Sequence, residues 1–318
     1  MDDWILRLPW PGVRASEAEA LLTREWLVTN AVGGYASGTI AGVASRRYHG
    51  LLIAALAAPL GRMVMLNHLS ELVRLPDGTT GLLGGEERVG GVLDLPGAAY
   101  LTEFRLDLGL PVWRYQLGGA VVEKRVLLLH RQNTVHIQYR LVAGETARLK
   151  LRPSLDFRPH DASVERHPAG RYAVTAVDSR YEVTTAPATA PLRMYLHGRR
   201  SAFTFECNES VDIYYREEDS RGYPARGTLW SPGYFRADLS LENPATLVAS
   251  TEAWDSILAL GPAEALDAEH ERRRRLLACA QPSLRSGPAR ELVLAADQFI
   301  ITPAGRVEDA ARAQAIGD

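Results

Sequence analysis

The stretch Val135-His136-Ile137-Gln138-Tyr139-Arg140-Leu141 sets apolar side chains at its odd positions and polar ones at its even positions. Successive side chains of an extended chain point to opposite faces, so this spacing predicts a strand with one face in a core and the other wet. The same reading repeats outward. Toward the C-terminus, 147–155, 171–177, 181–185, 192–196, 211–215, 234–239 and 246–251 read as strands. Toward the N-terminus, 120–130, 112–117, 100–108, 69–75, 62–66 and 46–56 do the same, and Gly84-Gly85 and Gly90-Gly91 punctuate a loop between them. Pro76-Asp77-Gly78-Thr79 shows the kind of turn that separates strands: proline fixes φ and glycine tolerates positive φ. More than a dozen short strands between about 24 and 255 predict a mainly β fold, a large antiparallel β-sandwich.

The character changes at Gly261-Pro262. Alanine, glutamate, leucine and arginine fill 263–280, and a proline suits the first turn, so a helix is expected there. Gln281-Pro282 ends it, and Ser286-Gly287-Pro288 opens a second helix running to about 299. Residues 306–318 are rich in alanine and charge, extend a loop or a helix, and have no apolar face of their own to bury. The expected division is a β-sandwich domain over 1–258 followed by a helical linker over 259–318.

With 318 residues, 46% hydrophobic and 23% charged, the composition is that of an ordinary globular chain. A net charge of −2 leaves no electrostatic footprint for nucleic acid or an anionic membrane. The longest apolar run, 51–60, is about half of what a membrane span needs. Cys207 and Cys279 lie far apart and match no metal-ligand spacing, and the acidic start Met1-Asp2-Asp3-Trp4 is unlike a secretory signal. A reduced, cytoplasmic protein without metal or cofactor is the expectation.

Two segments carry chemistry. Gly33-Gly34-Tyr35-Ala36-Ser37-Gly38 lacks the Gly-Lys-Ser/Thr of a phosphate loop; its glycines either let the backbone approach a ligand or neighbouring domain, or simply make tight turns. In Arg46-Arg47-Tyr48-His49-Gly50, strand geometry puts Arg46 and Tyr48 on one face and Arg47 and His49 on the other. A guanidinium beside an aromatic ring suits a sugar, whose hydroxyls accept from the fork while its apolar face stacks on the ring. The bland reading is an arginine–carboxylate pair with a satisfied histidine. Arg158-Pro159-His160-Asp161 is a loop at a site or a plain turn. The acidic loop Arg216-Glu217-Glu218-Asp219-Ser220-Arg221-Gly222-Tyr223 precedes Trp230-Ser231-Pro232-Gly233-Tyr234-Phe235, which reads as a stacking platform or a plug at a sandwich edge. Glycoside hydrolysis needs two carboxyl groups held across the scissile bond, and Glu217 and Asp219 are too close in sequence to nominate.

The stretch Glu25-Trp26-Leu27-Val28-Thr29-Asn30, then Gly33-Gly34-Tyr35, Ser37-Gly38-Thr39 and Arg46-Arg47-Tyr48-His49-Gly50-Leu51-Leu52, closely resembles the opening of glycogen debranching enzymes of the bacterial and archaeal type, the amylo-α-1,6-glucosidase relatives. Trp230-Ser231-Pro232-Gly233-Tyr234-Phe235 and Ala295-Ala296-Asp297-Gln298-Phe299 match as well; Ala31 departs, since the family usually has glycine there. The resemblance implies a large N-terminal β-sandwich, with the hydrolytic carboxylates in a C-terminal (α/α)6 barrel of the same polypeptide. No position here matches the barrel's motif, so no catalytic residue is assigned, and 259–318 is expected to lead into that barrel. It implies an α-glucan partner, glycogen or a limit dextrin, with Asn30, Tyr35, Arg46, Arg47, Tyr48 and His49 near the cleft, and Glu217 and Arg221 behind them in priority. The alternative is a free-standing carbohydrate-binding or scaffold module.

Overall fold

The computed structural model describes residues 6–9, 20–165, 171–185 and 190–302; the reading of the tail 306–318 lies outside them. Two antiparallel sheets face each other. The nine-stranded sheet runs in space as Leu6–Pro9, Leu101–Asp107, Leu110–Leu117, Ala120–Leu128, Thr134–Ala143, Ala245–Ser250, Leu192–His197, Arg180–Thr184 and Ala173–Val177. In the eight-stranded sheet the order is Arg199–Tyr214, Arg226–Ser240, Thr146–Pro159, Arg62–Arg74, Gly50–Ala55, Tyr35–Thr39 and Glu25–Thr29, with Thr80–Leu82 paired to Arg62–Arg74. The expected mainly β sandwich is what forms, because inward residues of both sheets are apolar and need a common interior. Trp113 of the first sheet sits at its centre, edge-on to Trp26 of the second at 5.4 Å and to Phe104 at 5.2 Å, its indole N–H donating to the Ile40 carbonyl at 2.9 Å.

Individual strands differ from the sequence reading. Residues 62–66 and 69–75 form one strand, Arg62–Arg74, with register shifts that absorb the polar Asn67-His68 step. The loop expected around 84–91 includes a small hairpin, Glu86–Arg88 with Val92–Asp94, turned by Gly90 and Gly91 at φ +96° and +73°. The wet face expected on the opening stretch is wrong at His136, which is fully buried. Its cross-strand partners Leu127 and Val248 are buried too, and the next polar residue outward, Gln138, donates to the Pro262 carbonyl. The helix beginning there covers part of this face.

The two expected helices are present as Pro262–Cys279 and Gly287–Asp297. They pack on each other and on the Leu108-Gly109 turn through Leu277 and Leu294, and Arg273 donates to the Leu108 carbonyl at 2.9 Å. Thr302 then donates its N–H to the Ala31 carbonyl at 2.8 Å, tying the helical segment to the glycine loop. No helix among the described residues is long and apolar enough to cross a membrane.

Candidate functional site

The glycine loop is built around one buried side chain. Asn30 is fully buried: its Oδ1 accepts from the N–H groups of Val32 and Gly34 at 3.1 and 2.8 Å, and its Nδ2 donates to the Gln132 carbonyl and to Asn133 Oδ1. Gly34 has no room for a side chain, since a Cβ would lie 2.6 Å from Asn30 Nδ2. Gly33 carries φ +102° and offers its carbonyl to Arg62 Nε at 2.6 Å. Tight packing is therefore what these glycines serve, and Asn30 shapes the loop from inside.

Arg46 to His49 is a turn, closed by His49 N–H on the Arg46 carbonyl at 2.9 Å, and the strand starts only at Gly50. The alternation expected from strand geometry therefore fails. Arg47 and Tyr48, predicted on opposite faces, come together: the guanidinium carbon lies 4.9 Å from the ring centroid, and Nη2 donates to the Tyr48 hydroxyl at 2.7 Å. Tyr223, about half exposed, puts its ring 5.3 Å from the same guanidinium. Tyr35 and Ser37 hold the turn from below, their hydroxyls donating to the Tyr48 carbonyl at 3.1 and 3.4 Å; burial pushes the Tyr35 phenol up to about 12.

Arg46 takes the bland role instead. It donates to Glu25 Oε1 at 2.6 Å and lies 3.8 Å from Glu217. His49 is buried; its Nδ1 accepts from the Ser45 N–H at 3.2 Å, which leaves the proton on Nε2, 3.6 Å from Glu25 Oε1. The His49 hydrogen bond first, with Arg46 behind it, holds the Glu25 carboxyl down to about 2 against the opposing effect of burial.

Two buried groups that sequence reasoning did not nominate fix the geometry. Glu218 is fully buried behind the ledge, accepting from the Arg47 N–H at 3.2 Å with its other oxygen 3.6 Å from Arg47 Nε. Three consecutive acidic residues gave no sign of which turns inward; the one-turn helix Arg216–Asp219 decides it. Arg158 is the strut, 1% exposed: Nε donates to Asp156 at 2.7 Å, Nη2 to the Arg47 carbonyl at 2.6 Å, and Nη1 to the carbonyls of Pro159 and His160. The Arg158-Pro159-His160-Asp161 segment, whose first two residues end the strand Thr146–Pro159 and whose last two turn, thus lies at the ledge, with the His160 ring 5.8 Å from Tyr48. Its hydrogen bond from His160 N–H to the Arg62 carbonyl joins the ledge to Gly33 through the Arg62 side chain.

Glu217 stays half-buried at the rim, and Arg221 is exposed with no side-chain partner among the described residues. The Trp230 segment is a plug: Trp230 stacks on Tyr172 at 4.5 Å and 10°, and Phe235 is buried against Phe203 and Tyr181. What remains at the surface is a half-buried ledge in which the Arg47 guanidinium is flanked by the rings of Tyr48 and the exposed Tyr223, with Arg46 and Glu217 beside it and Arg221 on the same loop as Tyr223. The Glu25 carboxyl is held below its ordinary range, the direction opposite to that of a general acid. Glu291 is raised by burial, but it belongs to the helical segment against the other sheet.

Residues 24–246 match the family described as Glycogen debranching enzyme N terminal. No curated protein sequence matches the chain. Among solved structures, a bacterial glucoamylase complexed with acarbose overlaps 87% of this chain and 35% of its own, at 8% identity and TM-score 0.34. A putative kojibiose phosphorylase from human microbiome overlaps 92% and 38% at 10% and 0.34. The heparan sulfate lyase HepC of Pedobacter heparinus overlaps 45% and 21% at 12% and 0.29. The chain spans between a fifth and two fifths of the length of these proteins.

Proposed function

Given that this chain belongs to the glycogen debranching enzyme N-terminal family, we propose that its sandwich forms one wall of an α-glucan cleft, the ledge of Arg47, Tyr48 and Tyr223 being the surface that meets the glucan. The observation that carries this is the guanidinium flanked by two phenol rings, held from behind by buried Glu218 and Arg158 so that it need not be ordered on binding. Arg46, Glu217 and Arg221 border the ledge, while Asn30, Tyr35 and His49 position it. The reaction in this reading is hydrolysis of the α-1,6-linked glucosyl stub at glycogen branch points, with or without transfer of an α-1,4 chain. Its carboxylates come from a C-terminal catalytic barrel of the same polypeptide in the cytoplasm, and residues 259–318 link to it. The ion-paired carboxylates of the ledge support this division of labour.

The test is affinity electrophoresis in gels with and without glycogen, comparing the parent chain with Tyr223→Ala and Tyr48→Ala. Tyr223 is exposed enough for its truncation to leave the fold intact. Loss of one stacking ring is expected to weaken retardation by about threefold to tenfold. A parent chain that glycogen does not retard at all would sink the proposal.

A further inference from the structure

The outer face of the eight-stranded sheet, away from the ledge, carries an unusual row of cations. Arg74 lies directly opposite Arg148 in the ladder, Arg148 opposite Asp238, and Asp238 opposite Arg199, so the four positions form one line across four strands. Arg200 joins them from the start of the edge strand, where its backbone adopts φ +52°, a conformation an L-residue adopts at a cost. These side chains line an open groove of about 540 Å³, a volume typical of small-ligand sites.

The groove is charged out of balance. Of its four guanidinium groups only two meet its one carboxylate: Arg148 Nε is 3.1 Å from Asp238 Oδ1 and Arg200 Nη1 is 3.4 Å from Asp238 Oδ2. Neither Arg74 nor Arg199 has a carboxylate partner among the described residues. Like charges placed directly opposite on neighbouring strands repel, so the Arg74–Arg148 pairing works against the sheet, and Asp238 offsets this only on the Arg148 side. Lys150 and Arg236, opposite each other one step along the same face, extend the positive potential, with Lys150 Nζ 3.8 Å from the Tyr234 ring centroid. All this occurs on a chain of net charge −2, so the field is local and concave rather than the long stripe that nucleic acid requires. Planar arginine forks bordering one open groove suit tetrahedral oxyanions, which accept two parallel hydrogen bonds from a fork.

We propose that this groove binds a phosphate-class dianion, carried as inorganic phosphate or as the phosphate ester of a sugar. The site is independent of the glucan ledge. Arg74, Arg148 and Arg199 hold the anion, and Asp238 keeps Arg148 and Arg200 spread rather than folded over it.

The test is titration calorimetry on the full chain at low ionic strength with inorganic phosphate, with glucose 6-phosphate, and with glucose as the uncharged control. Dissociation constants on the order of 0.1–1 mM are expected for the phosphate compounds; any heat from glucose belongs to the ledge and is unchanged in Arg74→Gln/Arg199→Gln. Tighter binding of the ester assigns a sugar phosphate as the ligand; equal binding assigns the phosphate group alone. Arg74→Gln/Arg199→Gln is expected to weaken binding by about tenfold or more while its thermal midpoint holds or rises, because neither arginine neutralises a carboxylate. Arg199→Gln alone gives a smaller loss in the same direction. Absence of binding by both phosphate compounds at about 10 mM overturns the proposal, as does binding by the double variant equal to the parent's.

Discussion

His136 is expected to make the stability of this sandwich fall steeply in mild acid. Its ring is fully buried between Leu127 and Val248, and neither nitrogen has a hydrogen-bond partner among the described residues. Burial first, and nearby His197 second, lower its pKa from 6.5 to about 4. The sign follows from proton binding. Between those values the unfolded chain holds the proton and the folded chain does not, so acid favours unfolding. Stability from this group is full above the unfolded value, is lost as pH drops through 6.5, and the loss is complete once pH passes below the folded value. Integrating the difference gives about 2 kcal/mol lost between pH 7 and pH 5, and about 3 kcal/mol by pH 4. His130, His160 and His270 shift the same way, so the parent's curve alone is not diagnostic. The informative quantity is the difference between parent and His136→Leu, measured by urea denaturation along a pH series. The variant should gain on the parent by those amounts as pH falls, whatever its stability at neutral pH. Two curves that stay parallel within about 0.5 kcal/mol from pH 7 to pH 4 would refute the reasoning.

Lys124 and Glu71 form an ion pair at 2.7 Å across the two sheets, with the Tyr139 hydroxyl on the same carboxylate. Lys124→Met strands a buried charge and should cost about 3–5 kcal/mol in chemical denaturation, most of it recovered in Glu71→Gln/Lys124→Met; a single-variant loss below about 1 kcal/mol would contradict this. Ala31 sits at φ +63°, so Ala31→Gly should relieve about 1–2 kcal/mol of strain against about 0.5–1 kcal/mol of added chain entropy; a lowered thermal midpoint would show that the loop carries no such strain. Glu25, held near 2, contributes stability that is complete above its ordinary 4.5 and disappears as pH falls toward 2. Circular dichroism of acid titrations should therefore show the parent's advantage over Glu25→Gln shrinking within that window, and an advantage independent of pH there would exclude the pairing.

The sandwich was legible because strand alternation is a local property: Val135, Ile137, Tyr139 and Leu141 point inward for the reason their spacing gives. The helices were equally plain from Pro262 and Gly287 onward. His136 was misread because the alternation says only which residues share a face. Whether that face meets water depends on what packs over it, and elements distant in sequence decide that. The split of Arg62–Arg74 into two strands arose similarly, since Asn67 looks like a break but is buried, donating to the His49 carbonyl and the Tyr215 hydroxyl.

At the ledge the division is sharper. The sequence alone marked the glycine loop, the arginine pair, Tyr48 and the acidic loop by their residue types, left a purely structural role open for them, and tied them to one family by their order. It also determined the mainly β architecture, since period-two patterning fixes strands before any contact forms. Only the tertiary structure brought Tyr223 to Arg47 and set Glu218 and Arg158 beneath them, across more than a hundred residues of chain. It also made Arg46–His49 a turn, so that Arg47 and Tyr48 share a face they would not share in a strand. The physical reason is desolvation: a buried carboxylate or guanidinium must find partners wherever the fold supplies them, and those partners carry no local signature in the sequence.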